Sequence, residues 1–568
     1  MNKENKHTIH LSRIIKHAVV LCVVLLASYW SVRPLFGPAH SYFPMHDDTQ
    51  VGRVVAMGRA LRNGQFPVRW VSDLGYGYGY PLYNFYGPLP YYIGGLLYSL
   101  GIHGLIATKL VMMLGIVLAA VTMYILSARF YGATGAIVSS MLYVYAPYHA
   151  VDAYVRGAVG ETWVFVFLPL LVLGFLLSSQ RTHQKTAVLV GALGLSGVIL
   201  SHTVLGYVTA LGVTVSVVFY WIVRLARGDR DKLAFLSQGA IVAVGLSLSA
   251  FFWLPAMAEM HETNVINQIG PTARFSDHFV CISQLWNSAW GFGGSASGCT
   301  DGMSFRLGKL HIVLAVLAVV LLFIRRPVGL SRRYIVVAIG ISLCAILLML
   351  PVSGPLWQLL PRFSFIQYPW RFLVFAVFGL SMLSASLVQW ISSRALRWFV
   401  VFGFMVLTVF HYGKLFSPQY LYAIGPDTLE TNEELRWRVS KISDEYLPGS
   451  FTRPSSINDL PKTLIEGDYD VNEGTDIDTE TYVRSYVVSS KRQEVALNRA
   501  YFPGWRYYVN GSEVNPRVVS NIPHVVLESG NSVLELRFTN TISRLIGNVL
   551  SIGTLSVLLF LYGKKTIA

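Results

Sequence analysis

The chain has 568 residues, of which 53% are hydrophobic and only 13% are charged, and its formal net charge is +15. Long runs without a charged residue recur from His17 to Phe410, which excludes a soluble globular protein and is typical of a polytopic membrane protein. The positive charge does not indicate nucleic-acid binding. Its Lys and Arg residues cluster in the short connections between apolar runs, where the positive-inside rule places cytoplasmic loops.

The apolar runs predict twelve membrane spans, since a spanning helix needs roughly 20 apolar residues. These spans are 17–36, 109–128, 134–148, 162–179, 187–201, 204–223, 234–254, 309–324, 334–352, 370–390, 398–411 and 542–562. This assignment places both termini and the Lys/Arg clusters on the cytoplasmic side of the cytoplasmic (inner) membrane. The short run 88–100 is expected to lie in the membrane interface, because counting it as a span would place the later clusters outside.

Six connections fall on the predicted outer side, and we name four of them L1 (37–108), L2 (148–161), L3 (255–308) and L4 (412–541). Cys281 and Cys299 share L3, where a disulfide is allowed, and a loop staple is favoured over a metal site.

The later part of L4 alternates apolar and polar residues as strands do, for example in Trp505-Arg-Tyr-Tyr-Val509. Asn510-Gly511 directly after it favours a hairpin turn. The expected fold is an all-α polytopic bundle of about twelve helices with a small β-rich domain near the C-terminus. Its parts are a membrane module over 1–411, an extracytoplasmic β-rich domain over 412–541, and a final helix with a cytoplasmic tail over 542–568.

Two adjacent carboxylates, Asp47 and Asp48, follow the first span and a short loop, within His46-Asp47-Asp48. Adjacent carboxylates repel each other, so near a membrane they need a cation, a proton or an Arg to be stable. Such a pair is typical of a site that coordinates a ligand or moves a proton. His46 is a weak candidate for the same site and has no assigned role.

Further polar residues lie at the same predicted membrane boundary. Asp152, Arg156 and Glu161 lie in L2. Asp152 and Arg156 are four residues apart, so they either form an ordinary ion pair on a helix surface or belong to a shared site with the L1 carboxylates. Arg371 opens a span, where it either extends into lipid headgroups or binds a lipid phosphate through charge-assisted hydrogen bonds. His202, at another outer turn, is a weak candidate.

The order of these features resembles the GT-C superfamily of membrane glycosyltransferases. Within it the chain is most similar to the YfhO-like family, whose members carry the label "6-pyruvoyl-tetrahydropterin synthase-related membrane protein". The matching stretches are His46–Asp48, Tyr83–Pro88, Tyr154–Ala158 with Glu161, Phe252–Ala256, Gln367–Arg371, Glu445–Pro448 and Tyr501–Trp505. The pterin label does not indicate the function, because a pterin synthase needs a soluble fold and a clustered His zinc site, and neither is evident in the sequence.

The resemblance implies an inverting transfer of a sugar from a polyprenyl-phosphate donor to a glycan, lipid or protein acceptor at the outer membrane face. A glycosyl transition state needs a carboxylate base on one side and stabilisation of the leaving group on the other. The resemblance implies Asp47 as the general base, with Asp48 assisting it or binding a metal ion.

The other polar residues receive their roles from the same resemblance. Asp48, Asp152 and Glu161 would supply oxygen ligands if Mg²⁺ or Mn²⁺ is used. Arg371 and Arg156 would bind the donor phosphate.

Two functions of other classes stay open. One is a cation- or proton-coupled transporter or flippase of a lipid-linked sugar, which many spans and outer carboxylates suit, although the spans hold almost no acidic residue near the bilayer midplane. The other is a non-catalytic envelope assembly protein that holds a partner with the β-rich domain.

Overall fold

A computed structural model describes residues 3–228, 231–265, 274–324, 329–465 and 469–563 of the chain. The longer helices, labelled in chain order, are α1 (Lys3–Val32), α2 (Gln50–Arg62), α3 (Leu89–Ser99), α4 (Gly104–Val144), α5 (Val159–Leu177), α6 (Gln184–Ser201), α7 (Thr203–Ala226), α8 (Lys232–Leu248), α9 (Ala250–Glu259), α10 (Lys309–Ile324), α11 (Gly329–Met349), α12 (Leu373–Ser384), α13 (Arg394–Tyr412) and α14 (Ile542–Gly563). The predicted tail beyond α14 lies outside the described residues.

The predicted membrane bundle is confirmed, because each of the predicted spans coincides with helical structure. Among the described residues, nine helices are long and apolar enough to cross a membrane, and ten if the bent pair α8 and α9 counts as one span. The remaining two predicted spans are short: α10 has 16 residues, and the other is the second half of α4. The helix α3 has 11 residues, which is about 16 Å and too short to cross a bilayer.

The long helix α4 consists of two limbs that fold back on each other at Gly132. This residue has φ 66° and ψ −170°, a conformation that glycine adopts without the penalty of a side chain. Ser127 Oγ and Ser139 Oγ are 2.8 Å apart, whereas twelve residues of continuous helix would separate them by about 18 Å. The two predicted spans 109–128 and 134–148 are therefore distinct limbs.

The predicted β-rich region is confirmed as two antiparallel sheets within L4. Their strands are β3 (Val471–Asp478), β4 (Tyr482–Ser489), β5 (Gln493–Ala496), β6 (Trp505–Val509), β7 (Ser512–Val514), β8 (Arg517–Val519), β9 (Ile522–Leu527) and β10 (Gly530–Phe538), after the small pair β1 (Ser41–Tyr42) and β2 (Tyr422–Ala423). The strand orders are β3-β4-β10-β6-β7 and β5-β9-β8. Asn510 and Gly511 form the predicted hairpin turn with φ 50° and 79°. Trp70 and Phe85 from L1 pack in the apolar core of these sheets. The limits of the predicted domain, 412–541, stay a prediction.

A buried ion pair fastens the last helix and the sheets to the membrane bundle. Glu259 at the end of α9 accepts hydrogen bonds from Arg544 Nε at 3.1 Å and Arg544 Nη2 at 2.8 Å, and from Asn84 Nδ2 of L1 at 2.9 Å. Arg544 also donates to the carbonyl of Thr539 at the end of the β-rich region. Both charged side chains are buried, so each depends on the other for its stability.

We expect Glu259→Gln to lower the free energy of unfolding by about 3–5 kcal/mol, because it leaves the Arg544 guanidinium buried without its counter-charge. Glu513→Gln is the matched control, since Glu513 pairs with Arg506 at 3.5 Å on the exposed surface and such pairs contribute about 1 kcal/mol or less. Denaturant titration in detergent micelles measures both values. Equal losses in the two variants would contradict the anchoring role of Glu259.

Candidate active site

The residues of L2 form a tight turn that packs their charged side chains into the protein. A short helix, Pro147–Ala150, continues into the π-helical segment Val151–Arg156. Gly157 then reverses the chain with φ 66°, and α5 begins at Val159 with Glu161 in its first turn. A carboxylate in the first turn is favourable, because the helix N-terminus carries partial positive charge.

The turn at Gly157 is also where L1 meets L2. A Cβ atom on Gly157 would lie 1.9 Å from Met45 Sδ, so only glycine leaves room for the Met45 side chain. Directly after Met45, the backbone N–H of His46 donates to the carbonyl of Val155 at 3.1 Å, and that of Asp47 donates to the carbonyl of Arg156 at 2.9 Å. The acidic pair of L1 is thereby held beside the charged residues of L2.

Arg156 neutralises both carboxylates of L2. Its Nη1 lies 2.6 Å from Asp152 Oδ1 and 2.8 Å from Glu161 Oε2, and its Nη2 donates to Glu161 Oε1 at 2.9 Å. The guanidinium stacks on the Trp370 ring with its Cζ 4.5 Å from the ring centroid. All three charged side chains are buried. The interpretation of Asp152 and Arg156 as a simple ion pair on the surface, which their spacing also allowed, is therefore wrong.

Glu161 has three more partners. Arg371 Nε donates to Oε1 at 3.2 Å, Tyr148 donates its hydroxyl to Oε2 at 2.9 Å, and His202 Nε2 lies 3.5 Å from Oε1. Arg371 Nη1 donates a hydrogen bond to the carbonyl of Ile366 at 2.8 Å. Among the described residues, Arg371 Nη2 has no hydrogen-bond partner. Arg371 therefore keeps one donor open.

His202 faces Glu161 as a neutral donor. Burial lowers the pKa of His202 to about 3. Its Nδ1 accepts a hydrogen bond from the backbone N–H of Leu205 at 3.1 Å, so the ring proton lies on Nε2, toward Glu161.

The two carboxylates of the L1 pair have different surroundings. Asp48 Oδ2 accepts a hydrogen bond from Arg438 Nη1 at 2.9 Å, and burial raises the pKa of Asp48. Arg438 also pairs with Glu434. The side chain of Asp47 is half-buried and, in the described parts of the chain, has neither an ion-pair nor a hydrogen-bond partner.

Residues that sequence reasoning did not assign also reach this site. Arg53 on α2 is buried, donates to Ser443 Oγ at 2.8 Å and lies 4.0 Å above the Tyr86 ring. Ser443 Oγ is in turn 3.2 Å from Glu445 Oε2, and burial raises the pKa of Glu445. The sequence signal for Arg53 was its place in a basic amphipathic stretch with Arg59 and Arg62. Glu445 lies in one of the stretches that carry the family resemblance, whereas Arg438, which is 390 residues beyond Asp48, gave no signal.

His46 connects the site to L3. This exposed side chain has its Nε2 3.1 Å from the carbonyl oxygen of Phe292. L3 is stapled as expected, because Cys281 and Cys299 are disulfide-bonded. His46 thus fastens L3 beside Asp47.

The predicted oxygen ligands for Mg²⁺ or Mn²⁺ are not assembled, which corrects that part of the sequence interpretation. Asp48 faces Arg438, whereas Asp152 and Glu161 face Arg156, so guanidinium groups occupy the places that a cation would take. In the part of the chain that the structure describes, no three His, Cys, Asp or Glu side chains are grouped to hold a metal ion. The donor set does not fit a divalent cation.

The sequence matches the model of a membrane protein family described as "6-pyruvoyl-tetrahydropterin synthase related domain; membrane protein" over residues 83–421. The chain belongs to this family. The matched region contains Asp152, Arg156, Glu161, His202 and Arg371, whereas the L1 pair lies before it. No curated protein matches the sequence significantly.

Solved structures with a similar course of the chain include an oligosaccharyltransferase from Archaeoglobus fulgidus in complex with Zn and sulfate (15% identity, TM-score 0.39, 79% of this chain and 59% of that chain). AglB from the same organism, in complex with an inhibitory peptide and a dolichol-phosphate, is 13% identical with a TM-score of 0.42. The match covers 79% of this chain and 61% of that chain. ArnT from Cupriavidus metallidurans, bound to undecaprenyl phosphate, is 14% identical with a TM-score of 0.30. The match covers 66% of this chain and 78% of that chain. The chain thus spans about three fifths of the archaeal enzyme's length, and similarity at this level does not establish a shared activity.

We expect Gly157→Ala to destabilise the protein more than Gly132→Ala. Both glycines have φ 66°, but their ψ angles differ: the backbone strain of alanine is about 1–2 kcal/mol at Gly157 (ψ 28°) and about 1–3 kcal/mol at Gly132 (ψ −170°). A Cβ on Gly132 meets nothing within 4 Å, whereas a Cβ on Gly157 overlaps Met45. Thermal unfolding in detergent measures the difference.

A double-mutant cycle isolates that overlap. Combining Gly157→Ala with Met45→Ala should destabilise the protein by less than the sum of the two single substitutions, because the shorter side chain at position 45 makes room for the new methyl group at position 157. Equal losses for the two glycine variants, together with simple additivity in the cycle, would contradict the close packing of L1 on L2.

Proposed function

We propose that the protein is an inverting membrane glycosyltransferase that moves a sugar from a polyprenyl-phosphate-linked donor to an acceptor. The observation that carries this proposal is the contrast at the site. Asp48, Asp152 and Glu161 are each neutralised by an arginine, whereas the Asp47 carboxylate forms neither a hydrogen bond nor an ion pair in the described chain and only lies within electrostatic range of the buried Arg53. An unpaired, half-buried carboxylate beside open arginine donors suits a general base.

The reaction is a single displacement at the anomeric carbon. Asp47 takes the proton from an acceptor hydroxyl as that oxygen forms a bond to C1 of the sugar. The bond between C1 and the phosphate oxygen breaks, and its electron pair leaves with the lipid phosphate. Attack opposite the leaving group inverts the configuration at C1, and Arg371 Nη2 donates to the departing phosphate.

The other site residues act by position. Glu161 holds Arg371 Nε, so that Nη2 remains available for the phosphate. Arg156 was predicted as a second phosphate ligand, but its Nη atoms are occupied by Asp152, Tyr148 and Glu161. We assign it to holding the two carboxylates in place. His202 lies with its Nε2 3.5 Å from Glu161 Oε1.

A lipid-linked donor is supported by an apolar groove near this network. The groove has a volume of about 380 Å³. Its lining includes Leu61, Phe66, Tyr92, Leu96, Leu200 and Phe251. Leu200 is two residues from His202, which lies 3.5 Å from Glu161. The proposed location is the cytoplasmic membrane with the site on the outer face, and the sequence-predicted partners are a polyprenyl-phosphate sugar and a glycan, lipid or protein acceptor.

Asp47→Asn should lower the rate of sugar transfer by about 10²–10⁴-fold, the usual contribution of a general base, without lowering the melting temperature, because no ion pair is lost. Asp48→Asn should have a smaller effect on transfer. Transfer of a radiolabelled sugar from synthetic polyprenyl-phosphate donors to a membrane extract measures these rates.

Asp277→Asn, at an exposed carboxylate of L3, is the matched control and should leave the transfer rate unchanged. Full activity of the Asp47→Asn protein would remove Asp47 as the base. Movement of the labelled lipid into proteoliposomes without a covalent product would instead favour the transporter.

Arg371→Lys should raise the KM for the donor by roughly 10- to 100-fold, which corresponds to loss of one charge-assisted hydrogen bond of about 1.5–3 kcal/mol. Lysine keeps the charge but cannot donate to Glu161 and to phosphate at fixed angles. Arg438→Lys is the control for arginine chemistry near the site and should change the KM far less. Equal KM values for wild type and Arg371→Lys would contradict phosphate binding by Arg371.

A further inference from the structure

Four basic side chains lie together where two membrane helices end, and we name them the basic cluster. They are Arg306 at the end of L3, Lys309 at the first residue of α10, His411 in the last turn of α13, and Lys414 just beyond it. Lys414, Arg306 and Lys309 all lie within electrostatic range of the His411 ring. The two helix ends are in contact, because the hydroxyl of Tyr412 accepts a hydrogen bond from the backbone N–H of Leu310 at 3.0 Å.

The protein does not neutralise this cluster. Within the described parts of the chain, none of the four side chains forms an ion pair or a hydrogen bond. Arg306 is half-buried, and burial lowers the pKa of its guanidinium. Its Nε is enclosed, whereas its Nη atoms keep accessible surface and stay open to a ligand. Burying a charge without a counter-charge is unfavourable, so an anion at these Nη atoms would stabilise the arrangement.

Tryptophan rings lie against two of the cations. Cζ of Arg306 is 5.3 Å from the centroid of the Trp290 ring, and Nζ of Lys309 is 5.6 Å from the centroid of the Trp286 ring. Trp286 itself is 44% exposed. Exposed tryptophan beside lysine and arginine is typical of the headgroup level of a membrane, where an apolar ring and a charge are both accommodated.

The helix surface beneath the cluster is apolar and uncovered. On α10, Val313 and Val316 are 50% and 57% exposed, and on α13, Val406 and Phe410 are 52% and 83% exposed. All four residues lie within about two helical turns of the cluster, which is about 11 Å along the helix axes. The cations therefore stand directly above a surface that suits acyl chains.

The cluster lies on the same side of the bundle as Asp47. The Trp290 ring packs edge-on against Phe292 with the ring centroids 6.4 Å apart, and the carbonyl oxygen of Phe292 is 3.1 Å from His46 Nε2. This is the side that the sequence predicts as outer. The positive-inside rule accounts for basic clusters on the cytoplasmic side, so it does not account for this one.

We propose that the basic cluster binds the phosphate of an anionic phospholipid, whose acyl chains lie along α10 and α13. The Nη atoms of Arg306 donate to the phosphate oxygens, and Lys309 and Lys414 add attraction to its charge. A lipid is favoured over free phosphate, because only a ligand with acyl chains gains from the exposed apolar surface below. The site uses none of the residues assigned to sugar transfer, so it stands or fails independently of the proposed enzyme activity.

Photo-crosslinking of the full-length protein in phosphatidylcholine nanodiscs tests the site. The probe is phosphatidylglycerol with a diazirine on one acyl chain, and the reference is phosphatidylcholine with the same chains. Peptide mapping then reads the label on residues 309–317 and 406–412 separately from the label near the cytoplasmic basic clusters. We expect the anionic probe to label these two segments at least about tenfold more than the reference does, because each cation near a membrane surface favours an anionic lipid.

The double variant Lys309→Gln/Lys414→Gln should lose most of this preference, and Arg306→Gln should lose it as well. Both lysines are exposed and have no ion pair in the described structure, so the double variant should keep the melting temperature of wild type. Lys491→Gln/Arg492→Gln is the matched control. It removes two charges from exposed ion pairs of the β-rich region and should label as wild type does.

Three results would overturn the proposal. One is equal labelling of the two segments by the anionic probe and the reference. Another is an unchanged preference in Lys309→Gln/Lys414→Gln, or an equal loss in the control variant. The third is displacement of the anionic probe by an excess of glycerol 1-phosphate, which would assign the cluster to a soluble phosphate instead of a lipid.

Discussion

One guanidinium, that of Arg156, allows two buried carboxylates to stand next to each other. Asp152 and Glu161 would repel each other in a medium from which water is excluded, and Arg156 bonds to both at 2.6–2.9 Å. The rest of the site depends on this arrangement. Glu161, once fixed, holds Arg371 and faces His202, and the carbonyl of Arg156 fixes the backbone of Asp47. The charged groups are thereby preorganised before a substrate arrives, which is the condition for electrostatic stabilisation of a transition state.

The segment that precedes the β-rich sheets completes the site. Arg438 binds Asp48, and Ser443 connects Arg53 to Glu445. Arg438, Ser443 and Glu445 follow the region that matches the family model, whereas Asp47, Asp48 and Arg53 precede it. The part of the chain that matches the family model therefore supplies the L2 network and Arg371, whereas the proposed base and the neutralisation of its neighbour come from flanking segments. Glu259 and Arg544 hold the sheets on the bundle.

Local sequence patterns predicted the elements of this fold, since hydropathy, strand alternation and the Asn510-Gly511 turn act over a few residues. The spans 134–148 and 309–324 are short, and the first is set apart from its neighbour by the break at Gly132, across which Ser127 and Ser139 are hydrogen-bonded. The gathering of the L1 and L2 carboxylates was predicted from their common membrane face. Their counter-charges were not: Arg438 is 390 residues from Asp48, and spacing cannot show whether a carboxylate faces a metal ion or an arginine. For that reason the metal ligand set was wrong.

The central claim is that Asp47 and Arg371 are the open groups of an otherwise neutralised site. Electron cryo-microscopy of the protein in nanodiscs with a non-hydrolysable polyprenyl-phosphate sugar analogue tests it most directly. We expect the phosphate within hydrogen-bond distance of Arg371 Nη2, about 3 Å, with C1 of the sugar facing Asp47. A phosphate bound away from Arg371, with the Asp47 carboxylate turned from the sugar, would contradict it.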